Sequence, residues 1–125
     1  AYILTAGGIL KSAVEASEAL KQKGYSVGVA SFPTVKPLDE AYIKQLCGKV
    51  PVLFTVEEHT IVGGFGSAVC EVVSGLPANR ARVVRIGLND TFCSIVGNQT
   101  YLEERFGLDG QGVAERVSSV LEGKD

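Results

Sequence analysis

Apolar positions come in short bursts along this chain, and their spacing alternates between two periods. Residues 2–6, Tyr-Ile-Leu-Thr-Ala, form a compact apolar run closed by Gly7-Gly8, the pattern of a buried strand. Ile9, Ala13, Ala16 and Leu20 then recur at three- and four-residue intervals, so they share one helix face, and Gly24 sits where a helix stops. The cycle repeats. Residues 25–31 predict a second strand, and Pro33 and Pro37 bracket an extended loop, since each disfavours helix in the residue before it. Asp39 is placed to cap a helix whose inner face is Tyr42, Ile43, Leu46 and Cys47. Residues 52–56 predict a third strand. Phe65, Ala68, Val69, Val72 and Val73 predict a third helix, ended by Gly75 and Pro77, and residues 82–86 a fourth strand. Two helices close the chain. One spans about 99–106 with Gly107 as its stop. The other spans about 110–122, capped by Asp109, with Val113, Val117, Val120 and Leu121 inward.

Strands alternating with helices imply an α/β fold with a parallel sheet, helices on both faces and right-handed crossovers. No composition shift marks an internal boundary, so residues 1–125 are expected to form one domain with a frayed tail at Glu122–Asp125. The chain opens inside a predicted strand and has no methionine, which suggests a piece of something longer.

At 125 residues and 46% hydrophobic, the chain is long enough to bury a core. Its net charge of −2 comes from scattered acids and bases, which favours neither nucleic acid nor an anionic membrane. Apolar runs are far too short to span a bilayer, and no signal-peptide pattern opens the sequence. Cys47, Cys70 and Cys93 include no close pair of the kind a thiolate metal site needs. They read as free thiols of an intracellular protein, packed as small apolar groups.

The chemistry concentrates at Thr55–Val69, where an apolar run meets Glu57, Glu58 and His59, then Gly63-Gly64-Phe65-Gly66-Ser67 and a helical pattern. Open α/β sheets place working groups at such strand ends. The spacing of these residues excludes several chemistries. Starting at Gly64 or at Gly7, the glycines miss G-x-G-x-x-G, and no phosphate loop ending in Gly-Lys-Ser/Thr occurs. Ser67 lacks the G-x-S-x-G context of a hydrolase nucleophile. His59 is the sole histidine, which rules out a two-histidine metal site and reads as a structural or interface residue. Glu57 and Glu58 are adjacent on a strand, so their side chains leave on opposite sides, and a cap or an arginine pair is the simpler role. The helix start at Gly66 fits either an anion held by free N–H groups or a tight turn with close backbone packing. Asp90 reads as a turn residue, and Glu103 and Glu104 as a solvated helix face.

Several segments together resemble the C-terminal domain of the transketolase family of thiamine-diphosphate enzymes. They are Gly8-Ile9-Leu10, Pro33-Thr34-Val35-Lys36-Pro37-Leu38-Asp39, Thr55-Val56-Glu57-Glu58-His59 with Gly63–Val69, Arg85-Ile86-Gly87-Leu88-Asn89-Asp90-Thr91-Phe92, and Gly107-Leu108-Asp109. Asn89 departs from the proline often found before this aspartate in relatives. The Glu-Glu-His segment looks closest to the split type of transketolase, in which this domain ends the second of two chains.

The resemblance implies a three-layer α/β/α fold with a mainly parallel sheet of four strands here, in order 2-1-3-4. The family's antiparallel edge strand would be missing, leaving the outer edge of the second strand open. It also implies a non-catalytic domain that supports dimer and domain assembly, beside pyrimidine- and pyrophosphate-binding domains or a subunit carrying them. The whole enzyme would be a cytoplasmic homodimer of the pentose phosphate pathway, moving a two-carbon ketol unit between sugar phosphates with thiamine diphosphate and a divalent cation (Mg). No catalytic, cofactor-binding or metal-binding residue of the family carries over to this chain. Glu57, Glu58, His59, Gly63, Gly64, Gly66 and Ser67 are then expected at an interface or an anion site. A 1-deoxy-D-xylulose-5-phosphate synthase or a 2-oxo acid dehydrogenase β-subunit would share much of the pattern. A stand-alone α/β module binding an anion or nucleotide near Gly66 is the reading from another class.

Overall fold

The computed structural model of the chain describes residues 1–61, 63–78, 80–88 and 107–124, and for His59, Thr60 and Leu88 the backbone alone. The helix expected near 99–106, with Asp90, Cys93, Glu103 and Glu104, lies outside the described residues. Within them the element order is β1 (Tyr2–Ala6), α1 (Leu10–Gln22), β2 (Gly28–Phe32), α2 (Glu40–Cys47), β3 (Val52–Thr60), α3 (Phe65–Ser74), β4 (Arg82–Leu88) and α4 (Gly110–Leu121). The four strands form one parallel sheet in the order β2-β1-β3-β4, as expected. Among the described residues β2 pairs with β1 alone, so its outer edge carries no partner strand.

Alternation along the strands divides the core into two layers. Ile3, Phe54, Val56, Val84 and Ile86 meet Ile9, Ala13, Ala16 and Leu20 of the α1 segment and Val113, Ala114 and Val117 of α4. On the other face Leu4, Leu53, Ala30 and Phe32 meet Ile43 and Leu46 of α2 and Phe65, Val69 and Val73 of α3. Phe32 lies 5.4 Å from the Phe65 ring centroid and 5.7 Å from that of Tyr42, which ties β2 to both helices of that layer. The N-cap position of α1, Ile9, offers no side-chain cap. The helix is held instead by its apolar stripe, each large side chain contributing about 1.5–3 kcal/mol when fully buried.

Three strands differ from the expected bounds, β4 by running two residues past 86 to Leu88. β2 starts at Gly28 because the preceding residues finish α1. Gly24, at φ +92°, lets its own N–H reach Lys21 O and the Tyr25 N–H reach Leu20 O, each at 3.0 Å, a Schellman closure. Gly123 and Lys124 close α4 in the same way onto Val120 O and Ser119 O. β3 runs four residues past Val56, for a reason that belongs to the functional site.

Two caps behave as the sequence suggests. The Asp39 carboxylate accepts the Tyr42 N–H at 3.1 Å, and Asp109 accepts that of Gly112 at 3.0 Å. Asp39→Ala should lower stability by about 1 kcal/mol, read as a lower urea midpoint at constant slope. Where α4 ends, the Tyr25 hydroxyl donates to Glu122 Oε1 at 2.9 Å, and Lys124 pairs with the same carboxylate. The bond to Glu122 holds the Tyr25 pKa above its ordinary value. Ultraviolet titration should find that pKa lowered in Glu122→Gln. An unchanged titration would mean that the contact does not form in solution.

Candidate functional site

β3 does not stop at Val56. Val56 faces Ile86 and Thr60 faces Leu88, so four steps along β3 match two along β4. Glu57, Glu58 and His59 occupy that irregularity. They lie in a bulged strand rather than the loop that their polarity suggested. The bulge re-aims side chains just where the chain turns into α3.

Glu57 is 4% exposed, and both of its carboxylate oxygens are engaged. Oε1 accepts the N–H of Phe65 and Oε2 that of Gly66, each at 2.9 Å. These are the first two N–H groups of α3, which lack intrahelical acceptors, and the helix dipole adds partial positive charge there. An internal carboxylate thus occupies the position that an external anion would take. The N-cap residue of α3 is Gly64, which has no side chain to cap with, and Glu57 supplies the cap from the neighbouring strand.

The glycines divide their tasks. Gly63 takes φ +71°, a left-handed turn conformation that a side chain would strain. Gly66 allows close approach instead. A Cβ there would stand 2.5 Å from Thr55 Oγ1, 2.8 Å from Glu57 Oε2 and 2.9 Å from Arg85 Cγ. Ser67 closes the turn. Its hydroxyl donates to Ile61 O at 3.0 Å and accepts the Gly63 N–H at 3.1 Å. Arg85, on β4 beside Thr55, reaches over the turn, its Nη1 donating to Ile61 O at 3.0 Å and to Ser67 Oγ at 3.3 Å.

The structure therefore brings Glu57, Gly63, Gly64, Gly66 and Ser67 into one hydrogen-bonded turn. Glu58 is separate: it is partly buried at the end of β1, where a Cβ on Gly7 would lie 3.9 Å from its Oε1. With Glu57 committed to α3, the two glutamates do not form an acid–base pair. The side chain of His59 is outside the described residues. Among the described residues no group of three or more His, Cys, Asp or Glu could hold a metal ion. Cys47 and Cys70 are free thiols. Arg85 escaped the sequence reading, although an arginine inside an otherwise apolar strand was a signal that something polar faces it.

This architecture has relatives. The family model for the transketolase C-terminal domain matches residues 1–113. The 1-deoxy-D-xylulose-5-phosphate synthases of Bacillus mycoides (strain KBAB4) and Bacillus cereus (strain B4264) are each 39% identical to it over 124 residues, covering 99% of this chain and 20% of theirs. The chain thus spans about a fifth of the length of these curated relatives. Among solved structures, a split gene transketolase described as an inactive β4 tetramer superposes with a TM-score of 0.85 at 30% identity, covering 97% of this chain and 39% of that one. With the family model matched over nine-tenths of its length and the four-stranded parallel sheet in place, the chain belongs to the transketolase C-terminal domain family.

Proposed function

We propose that this chain is a non-catalytic domain, residues 1–125, that supports the assembly of a larger thiamine-diphosphate enzyme. The observation that carries this reading is the engagement of the most reactive-looking cluster. Glu57 holds the start of α3 with both oxygens, and Ser67 and Arg85 lock the preceding turn. Groups committed in this way give a surface its shape, and Glu57 and Ser67 are thereby engaged in holding the turn. Thiamine diphosphate and its divalent cation would sit on other domains or on a partner subunit, in a homodimeric, cytoplasmic enzyme. The matching split gene transketolase is described as inactive in its β4 form, which supports the need for a complement.

For the whole enzyme two chemistries compete. Ketol transfer between sugar phosphates has the support of the split gene transketolase at 30% identity. Formation of 1-deoxy-D-xylulose 5-phosphate has the support of the synthases at 39%, and we favour it on that ground. That choice would take the enzyme out of the pentose phosphate pathway. A stand-alone anion-binding module is the weaker reading, because the Phe65 and Gly66 N–H groups already have an acceptor.

Calorimetry of this 125-residue chain with thiamine diphosphate and Mg²⁺ should give no binding heat, and the chain should turn over no sugar phosphate. Saturable binding or turnover in either experiment would overturn the non-catalytic reading. Product analysis of the whole enzyme, 1-deoxyxylulose 5-phosphate against a transferred ketol, decides between the two chemistries.

A further inference from the structure

Two features meet on one flank of the fold. The first is the outer edge of β2. The Gly28 N–H donates to Ala1 O at 3.0 Å, so the backbone groups of Gly28, Ala30 and Phe32 turn to β1 and those of Val29 and Ser31 turn outward. Among the described residues nothing donates to or accepts from these outward groups. The second is on α1, where Leu10 and Val14 are the large apolar side chains that the described residues leave exposed, at 38% and 41%. We propose that this flank is a docking face for a second copy of this chain, joined by antiparallel pairing of the two β2 strands across a two-fold axis.

The helix geometry places Leu10 and Val14 beside the strand edge. At about 3.6 residues per turn, Leu10, Val14, Ser17 and Lys21 share one side of α1. The Ser17 hydroxyl donates to Val27 O, just before β2, which fixes that side as the one over β2. Glu15 and Ala16 lie on the side toward α4, where a Cβ on Gly110 would meet them.

A second copy answers both features at once. With Ala30 on the axis, Val29 of each copy faces Ser31 of the other, and each such pair exchanges both N–H···O bonds. The pattern is self-complementary, as an isologous interface requires. Gly28–Phe32 carries no charged side chain and no proline, the devices that keep strand edges apart. The spacing also fits. α1 packs on both β1 and β2, and paired strands lie about 4.8 Å apart, so the two α1 helices would run about 10 Å apart, within packing distance. Leu10 and Val14 would then be buried between them. An extended peptide would fill the edge but bring no helix to that pair.

Sedimentation equilibrium of the 125-residue chain across a concentration series provides the test, with hydrogen exchange read at single amides. The mass should rise toward twice 13.2 kDa, and the Val29 and Ser31 amides should become protected in step with it. Val14→Glu places a charge in the contact between helices and should raise the dissociation constant at least about ten-fold. Ser31→Lys, at an exposed position of the edge, should weaken association likewise. Lys44→Glu, on the side of α2 that faces α3, should leave association unchanged. All three variants should keep the circular dichroism of the parent. A monomer at every concentration, equal weakening by all three variants, or association with Val29 and Ser31 exchanging freely would each overturn the docking face. Slow exchange of both amides in a monomer would mean that a segment of the same chain covers the edge, and would overturn it as well. Such a dimer supplies a partner for the assembly role proposed above. Its failure would leave untouched the non-catalytic reading, which thiamine-diphosphate binding tests.

Discussion

Glu57→Ala should be the most destabilising single change in the β3–α3 turn, costing about 3–5 kcal/mol. The substitution removes two bonds to a charged acceptor and strands the Phe65 and Gly66 N–H groups in a buried site. Each stranded group costs about 1–3 kcal/mol, and the loss of the negative charge at the helix start adds to that. On a domain of ordinary stability the melting temperature should fall by about 10–20 °C. Glu57→Gln keeps one acceptor oxygen and should cost roughly half as much, since its amide faces the second N–H with a donor. Thermal and urea denaturation of both variants would check the order. A shift of only about 2 °C for the alanine variant would mean that Glu57 does not hold α3 in solution.

Gly66→Ala should also be strongly destabilising, although helix propensity argues the other way. Alanine in place of glycine inside a helix gains about 1 kcal/mol. Against that gain, the new Cβ would fall 2.5 Å from Thr55 Oγ1, on a short side chain of a fully buried strand residue that has little room to yield. It would also press on the Glu57 oxygen that accepts the Gly66 N–H. Overpacking of this kind costs about 1–3 kcal/mol, and displacement of the carboxylate adds part of the Glu57 penalty, so a net loss of about 2–4 kcal/mol is expected. Gly75 supplies the contrast. It ends α3 at φ −80°, and the nearest atom to a Cβ there is Val72 O at 3.5 Å, an ordinary contact. Gly75→Ala should therefore be neutral or slightly stabilising. Equal urea midpoints for the two alanine variants would refute the close-approach account of Gly66.

Much of the fold was legible because period and punctuation agree. The run Tyr2–Ala6 became β1 with its expected bounds, and Asp39 and Asp109 cap the helices they precede. The legible features are local ones, set by residues a few positions apart. The boundaries that moved were set by partners distant in sequence or by backbone closure. β3 extends through Glu57, Glu58 and His59 because β4 continues to Leu88 and pairs with Thr60, which no property of three polar residues announces. β2 begins late because Tyr25 first completes the α1 closure.

The site was legible in outline only. The glycines pointed to a turn with close packing, and Gly66 confirms why a glycine is needed there. The opposed directions of Glu57 and Glu58 followed from strand geometry. That Glu57 caps a helix eight and nine residues further on depends on the crossover bringing α3 back over β3, a tertiary relation. The same holds for Arg85, which reaches Ile61 and Ser67 from a strand distant in sequence.

The central claim is that this turn shapes an assembly and performs no chemistry. It is tested most directly in the whole enzyme carrying Glu57→Gln, by measuring turnover per assembled, thiamine-diphosphate-loaded active site alongside the melting temperature. The account predicts a lower melting temperature or a weaker assembly, with turnover per loaded site within about two-fold of the parent. A general acid or base contributes roughly 10²–10⁴-fold to a rate. A loss of about a hundred-fold or more in turnover, with assembly and melting temperature unchanged, would contradict the account and return Glu57 to the reaction.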